Sequence, residues 1–325
     1  MNQQPKQQPH KIIFDTDPGV DDAMAFFFAD AHPQLQIVGI TTIFGNVAVE
    51  QSTANTLRLV DIAGGDYPVA AGLGKALAGE PRPYPHWVHG KDGFGDINWP
   101  ASNRSPDQRP AVDFIIETLK ASPGEITLVP VGPLTNIAAA LARAPEIAEL
   151  VREVSIMGGA INCPGNVTPL AEANVANDPE AADAVLGAGW KASLIGLDVT
   201  MKAVISSQDI ARITGSGSEK AKFLAAAAAP YIDFYRNNAG VDGCCMHDVC
   251  ALARLVAPEI FTMEEAAIRV ACEGFSRGKS AAMPPGHPAA DESWQSRPVQ
   301  SYARAIDNTA MLELFIETLS GQTQP

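Results

Sequence analysis

Short apolar runs alternate with longer amphipathic stretches along most of the chain. Five runs have the length and continuity of strands buried on both faces, at residues 11–15, 37–42, 126–131, 153–157 and 192–197. Between them the periodicity predicts helices over residues 51–63, 111–120 and 134–143, and the apolar stretch 23–29 reads as a further one. Gly132-Pro133 precedes the 134–143 helix, with Pro near the first turn, where its missing N–H costs nothing. Asp178-Pro179-Glu180 opens a helix over 181–186, with Asp as N-cap and Pro at the first helical position. Residues 274–298, rich in Pro, Gly and Ser, read as a long loop before a last helix near 309–319. Strand–helix alternation of this kind predicts an α/β fold: a mostly parallel, Rossmann-like open sheet with helices on both faces. With no mid-chain linker or repeat, residues 11–325 form one domain with insertions, preceded by a polar tail at 1–10.

In such sheets ligands bind beyond the carboxyl ends of the strands. The predicted strands end in chemically rich positions: Asp15-Thr16-Asp17, Thr41-Thr42 leading to Gly45-Asn46, Val131-Gly132, Met157-Gly158-Gly159 and Asp198. The first is the most concentrated, because IIFDTDPGVDD delivers Asp15, Asp17, Asp21 and Asp22 around a Pro18-Gly19 turn. Four neighbouring carboxylates stay ionised only if a cation or strong donors offset their repulsion. A hard divalent cation held by oxygen ligands is the economical account, and a solvated acidic turn is the plain alternative. An EF-hand loop is excluded: counted from Asp15, the position that needs a bidentate Glu is Phe26.

Composition narrows the partners. The 325 residues are 46% hydrophobic and 18% charged, with a net charge of −14, which disfavours a nucleic-acid polymer or an anionic membrane and suits a small neutral substrate. Five cysteines, an odd number in a long chain, point to reduced thiols and a cytoplasmic location. The spacing in Cys244-Cys245-Met246-His247-Asp248-Val249-Cys250 matches no usual zinc pattern. The N-terminus lacks an apolar signal core, and no apolar run approaches the ~18–20 residues of a membrane span.

Three more segments carry polar chemistry. Asn166, Glu172 and Asn174 offer amides and a carboxylate suited to sugar hydroxyls; Val131 follows a strand and offers a backbone carbonyl; His247-Asp248 follows the aromatic cluster Tyr231, Phe234 and Tyr235. With these in place the chain resembles the nucleoside hydrolases of the inosine–uridine-preferring type. The resemblance runs from about Lys11 to the end. It rests on DTDPGVDDA at 15–23, TTIFGN at 41–46, VPVGPLTN at 129–136, MGGA at 157–160, GNVTPLAEAN at 165–174, DPEAA at 178–182 and HD at 247–248.

The resemblance implies Ca2+-dependent hydrolysis of the ribonucleoside N-glycosidic bond. Carried over by position, Asp17, Asp22, Asp248 and the Val131 carbonyl match the metal ligands, and Asp17 also matches the general base that activates a metal-bound water. Asp21, Asn46, Asn166, Glu172, Asn174 and Asp248 match positions around the ribose, while His247, Tyr231 and Tyr235 match positions near the leaving base. Asp15 falls behind these as support. His247 is the candidate acid, on the expectation that it titrates near the working pH. Relatives of this type are homodimers or homotetramers. The sequence departs from the family pattern at Ala173, where many relatives carry an aromatic residue, and at Asn177, where an apolar one is usual.

Each residue also has a plainer reading. Tyr231 and Tyr235 have the spacing of a packed helix face. His247 suits a core position, and Asn46 and Asn166, each after a glycine, suit left-handed turns. Residues 81–99, which include His89-Gly90, read either as a lid over the site or as a surface loop. Two other functions compete. A haloacid dehalogenase-like phosphohydrolase also opens on a strand and Asp-x-Asp, but the Pro18–Asp22 continuation and the lack of a suitable lysine speak against it. A non-catalytic ribose- or nucleoside-binding module would retain the cation and lack turnover.

Overall fold

The computed structural model describes residues 8–79, 82–214, 217–288 and 291–321. Most of the expected N-terminal tail, the first residue of the 81–99 segment and two residues of the 274–298 segment lie outside them.

Ile12, Ile13 and Phe14 are fully buried, and the strand that carries them has parallel neighbours on both edges. Along this strand Ile12 and Phe14 enter one hydrophobic core and Ile13 the other. That is the physical content of its unbroken apolar run: successive side chains point to opposite faces, and both faces are covered.

In chain order the strands are β1 (His10–Thr16), β2 (Leu35–Thr42), β3 (Val69–Ala70), β4 (Ile126–Pro130), β5 (Glu153–Met157), β6 (Ala192–Ile195), β7 (Val204–Ile205), β8 (Cys244–Cys245), β9 (Phe261–Val270), β10 (Ser280–Met283) and β11 (Val299–Ile306). Nine of them form one sheet in the order β10-β9-β11-β6-β5-β4-β1-β2-β3, and β7 pairs with β8 apart from it. Only β9 runs against its neighbours; the other pairings in the large sheet are parallel. The expected α/β sheet with helices on both faces is therefore the observed one.

The helix Val20–Ala31 is buried from Val20 to Ala29 and is enclosed by the helices Val49–Ala63, Glu219–Ala239, Val249–Val256 and Asn308–Ser320. A helix apolar all round belongs in such a position. The opposite face of the sheet is covered by Ala111–Ala121, Thr135–Arg143 and Pro179–Leu186. Asp178 caps the last of these as expected, its carboxylate accepting from the Ala181 N–H at 3.1 Å with Pro179 at the first helical position.

Three expectations are corrected. The strand predicted to reach residue 197 stops at Ile195, and Leu197 opens a short helix to Thr200. The strand expected to end at Val131 ends at Pro130, although the Val131 N–H still pairs with the Asp15 carbonyl at 2.8 Å. Residues 274–298 are not one long loop, because they hold β10 and a short helix, Glu292–Gln295. The small side chains of β10 carry little strand signal, and pairing with β9 supplies what propensity does not.

Candidate active site

The β1 end, the Pro18-Gly19 turn and the start of the first helix bring the acids together. Asp22 sits in the first helical turn, where the N-terminus favours a carboxylate. Its Oδ1 accepts from the Thr16 hydroxyl at 2.5 Å and the Asp17 N–H at 3.2 Å. Its Oδ2 accepts from the Gly19 N–H at 2.9 Å and the Asn46 amide at 3.1 Å. Asp15 lies behind, fully buried, accepting from the Thr41 hydroxyl and, at 2.8 Å, from the Asn136 amide. Burial pushes its carboxyl up to about 7.

Asp17 is divided between its two oxygens. Oδ2 accepts from the Asn46 N–H at 2.7 Å, whereas Oδ1 is buried without a hydrogen-bond partner. Glycines close in on both: a Cβ on Gly45 would stand 2.0 Å from Oδ2, and one on Gly132 would stand 2.4 Å from Oδ1. The backbone beside Val131 thus approaches Asp17 only because residue 132 has no side chain.

Asp21, Asp22 and Asp248 place one carboxylate oxygen each within 4.8 Å of one another, and all three are buried. Asp21, expected toward the sugar, therefore shares the acidic cluster as well. Its Oδ1 has no hydrogen-bond partner, and Tyr231 lies beside its carboxylate. Burial raises the Asp17, Asp21 and Asp248 carboxyls well above their usual range, and their mutual repulsion adds to it. An oxygen-only set, buried and crowded, suits a hard divalent cation; Asp17, expected among the ligands, lies outside this group of three. In the described residues no histidine or cysteine joins this group.

On the next strand ends stand the residues expected around the sugar. Glu172 is buried and caps the helix Ala173–Asn177; its carboxylate accepts from the Gly159 N–H at 2.9 Å, the Asn174 N–H at 2.9 Å and the Val175 N–H at 3.1 Å. Asn174 donates its amide to the Val131 carbonyl at 2.7 Å, which ties the sugar-side loop to the acidic cluster. Asn166 is exposed, its side-chain oxygen accepting from the Ala173 N–H at 3.0 Å. Neither Asn46 nor Asn166 has a positive φ, so the left-handed-turn reading fails for both. Asn46 instead holds two acids, as above.

The aromatic side is continuous with this. Tyr231 and Tyr235 are buried on the helix Glu219–Ala239, their rings edge to face at 5.1 Å. The Tyr235 hydroxyl lies 2.7 Å from His247 Nε2, and the Thr200 hydroxyl lies 2.7 Å from Nδ1. Burial lowers the His247 imidazole to about 4, which corrects the expectation that it titrates near neutrality. His247 is a neutral imidazole at pH 7, held at both nitrogens.

The sequence leaves His89 in either a lid or a surface loop. The short helix His86–His89 turns it inward, where its ring lies 5.1 Å from that of Tyr231 and its Nδ1 accepts from the Val20 N–H at 3.3 Å. This part of residues 81–99 is thus not an ordinary surface loop. Thr200, Thr16 and Asn136 were also missed as partners: Thr16 ends β1, while Thr200 and Asn136 lie in the helices that follow β6 and β4.

The order of these acids, amides and tyrosines along the sheet edge has a counterpart among known proteins. The family model described as inosine-uridine preferring nucleoside hydrolase matches residues 12–313. The chain belongs to that family. Its members cleave the N-glycosidic bond of nucleosides, and this chain is an enzyme of that class. This nucleoside hydrolase is 36% identical over 313 residues to the probable uridine nucleosidase 2 of Arabidopsis thaliana, covering 95% of this chain and 97% of that one. It is 38% identical over 269 residues to the inosine-uridine preferring nucleoside hydrolase of Leishmania major, covering 82% and 85%. The solved plant nucleoside hydrolase PpNRh1 superposes with a TM-score of 0.93 at 36% identity, covering 96% of this chain and 99% of that one. The purine-preferring ribonucleoside hydrolase from Gardnerella vaginalis does so at 0.89 and 34% identity, covering 96% and 98%. Among the described residues of this nucleoside hydrolase no helix is long and apolar enough to cross a membrane.

Proposed function

We propose that this chain hydrolyses ribonucleosides to free base and ribose in a Ca2+-dependent reaction, with Asp17 as general base and His247 on the leaving-group side. The observation that carries the reading is Asp17 Oδ1: buried, without a partner, and kept open by two glycines. Asp17, Asp22, Asp248 and the Val131 carbonyl would hold the cation. When bound, such a cation supplies positive charge that acidifies water and orients the vicinal hydroxyls of ribose.

The chain's own residues account for the remaining steps. With Oδ2 fixed by the Asn46 N–H, Asp17 Oδ1 takes the proton of the attacking water. Cleavage develops positive charge on the ribosyl carbon, and the surrounding carboxylates stabilise it. Asp21, Asp248 and Asn46, together with Asn166, Glu172 and Asn174, form the ribose side. The departing base needs a proton or a hydrogen bond, and the Tyr235–His247 pair offers a hydroxyl and a neutral imidazole to provide it. Tyr231, against Tyr235 and Asp21, walls the same side. A homodimer or homotetramer in the cytoplasm belongs to this reading.

The names of the relatives divide between uridine and purine nucleosides, so the test runs over uridine, cytidine, inosine and adenosine with metal analysis of the same sample. The expected result is release of base and ribose without phosphate, lost on chelation and restored by Ca2+. Phosphate release from phosphorylated substrates, with no base liberated, would favour the dehalogenase-like alternative. Saturable nucleoside binding without turnover would favour the binding module.

A further inference from the structure

Residues 277–280 lie within the 274–298 segment; Gly278, Lys279 and Ser280 engage the two loops on the sugar side, and Arg277 engages the helix Pro179–Leu186 that follows them. Arg277 holds the Glu180 carboxylate through both terminal nitrogens, at 2.5 and 2.7 Å. Gly278 is buried, and a Cβ there would come within 2.8 Å of that of Ala171. Lys279 Nζ donates to the carbonyls of Ala160 at 2.7 Å and Ile161 at 2.9 Å. Ser280 is fully buried against Gly159, where a Cβ would stand 2.8 Å from its hydroxyl.

The loop leaving β5 is gripped from the other side too. Asp198 accepts the N–H of Ile161 at 2.9 Å and of Asn162 at 2.8 Å. An ammonium on the carbonyls and a carboxylate on the N–H groups fix consecutive peptides against their dipoles. From there a hydrogen-bonded path continues: the Gly159 N–H donates to Glu172, Glu172 accepts the Asn174 N–H, and the Asn174 amide donates to the Val131 carbonyl.

We propose that Lys279, acting against Asp198, is a positioning residue for ribose. It fixes the peptide planes at 160–161 and through them the orientation of Glu172 and Asn174. The proposal rests on the functional reading above and adds to it a contribution from the C-terminal third of the chain. Lys279 acts through the backbone carbonyls of Ala160 and Ile161, so its loss should act on sugar binding rather than on the chemical step.

The test is steady-state kinetics with uridine and inosine on Lys279→Met and Lys279→Arg, with bound cation and Tm measured alongside. Lys279→Met should raise KM about tenfold with kcat changed less than threefold and the cation retained, and Lys279→Arg, which keeps the donors, should restore most of the KM. Should Lys279→Met fail to fold, Lys279→Gln decides by the same criterion. An active unmodified protein whose folded variants keep their KM overturns this proposal alone, as does a fall in kcat matching a loss of folded protein. An unmodified protein that releases no base overturns the functional reading and this proposal with it.

Discussion

Asn46 gives one nitrogen to each of two acids: its backbone N–H goes to Asp17 Oδ2 at 2.7 Å and its side-chain amide to Asp22 Oδ2 at 3.1 Å. The main-chain bond survives replacement by alanine, so Asn46→Ala separates the two. The variant leaves a buried carboxylate short of one donor, and unfolding in urea should show a loss of about 1.5–3 kcal/mol. An unchanged midpoint would show that the amide does not support Asp22.

Gly45 and Gly132 define the space around Asp17. Gly132→Ala puts a methyl 2.4 Å from Oδ1 and forces the carboxylate aside. Misplacement of a reacting group by about 1 Å costs roughly 10²-fold, so kcat/KM should fall by that order while the circular dichroism spectrum stays unchanged. Full activity in Gly132→Ala would remove Asp17 Oδ1 from the reaction.

Asp17→Asn keeps the shape and removes the base. Turnover should drop about 10²–10⁴-fold from loss of proton acceptance alone, and further if the cation is released. Measuring kcat on a sample of known metal content separates the two losses. Near-normal kcat with the cation in place would mean that another group takes the proton.

The Tyr235–His247 contact bears on the leaving base. His247→Ala and Tyr235→Phe should slow inosine and uridine far more than p-nitrophenyl riboside, whose phenolate leaves without a proton. Equal losses on both substrate types would assign the pair to packing.

Asp15, pushed to about 7, and Asp17, Asp21 and Asp248, raised by burial and mutual repulsion, bind protons more tightly folded than unfolded. In the metal-free protein their contribution to stability is complete below the ordinary carboxyl value of 3.8 and declines as pH rises through the folded values. A cation competes for the same oxygens, so the gain in Tm on adding Ca2+ should be larger at pH 8 than at pH 5. A gain independent of pH would show that protons and cation do not share these carboxylates.

The sequence carried the central strands, to within two residues at their ends, and the acidic turn, because an unbroken apolar run such as Ile12–Phe14 has one physical explanation and a turn of four acids has few. It did not carry β9, where the exposed Glu264 and Glu265 interrupt the apolar pattern while Ala266, Ala267 and Ile268 are buried. Nor did it carry the engagement of Glu172 with three backbone N–H groups, since capping depends on where the chain turns rather than on the residue alone. His247 was legible as a candidate, but the lowering of its imidazole was not, because desolvation is a property of the fold.

Because β11 lies between β6 and β9, the sheet has a consequence for synthesis on the ribosome. The first six strands can pair as they emerge, and their acids with them. β9 and β10 have no place in the sheet until residues 299–306 have left the exit tunnel and filled the gap. A nascent chain stalled between residues 248 and 299 would already carry Asp17, Asp21, Asp22 and Asp248, yet lack the edge that presents Lys279. Such a chain would separate in time the two properties proposed for the finished enzyme: capture of a cation and a firm seat for the sugar.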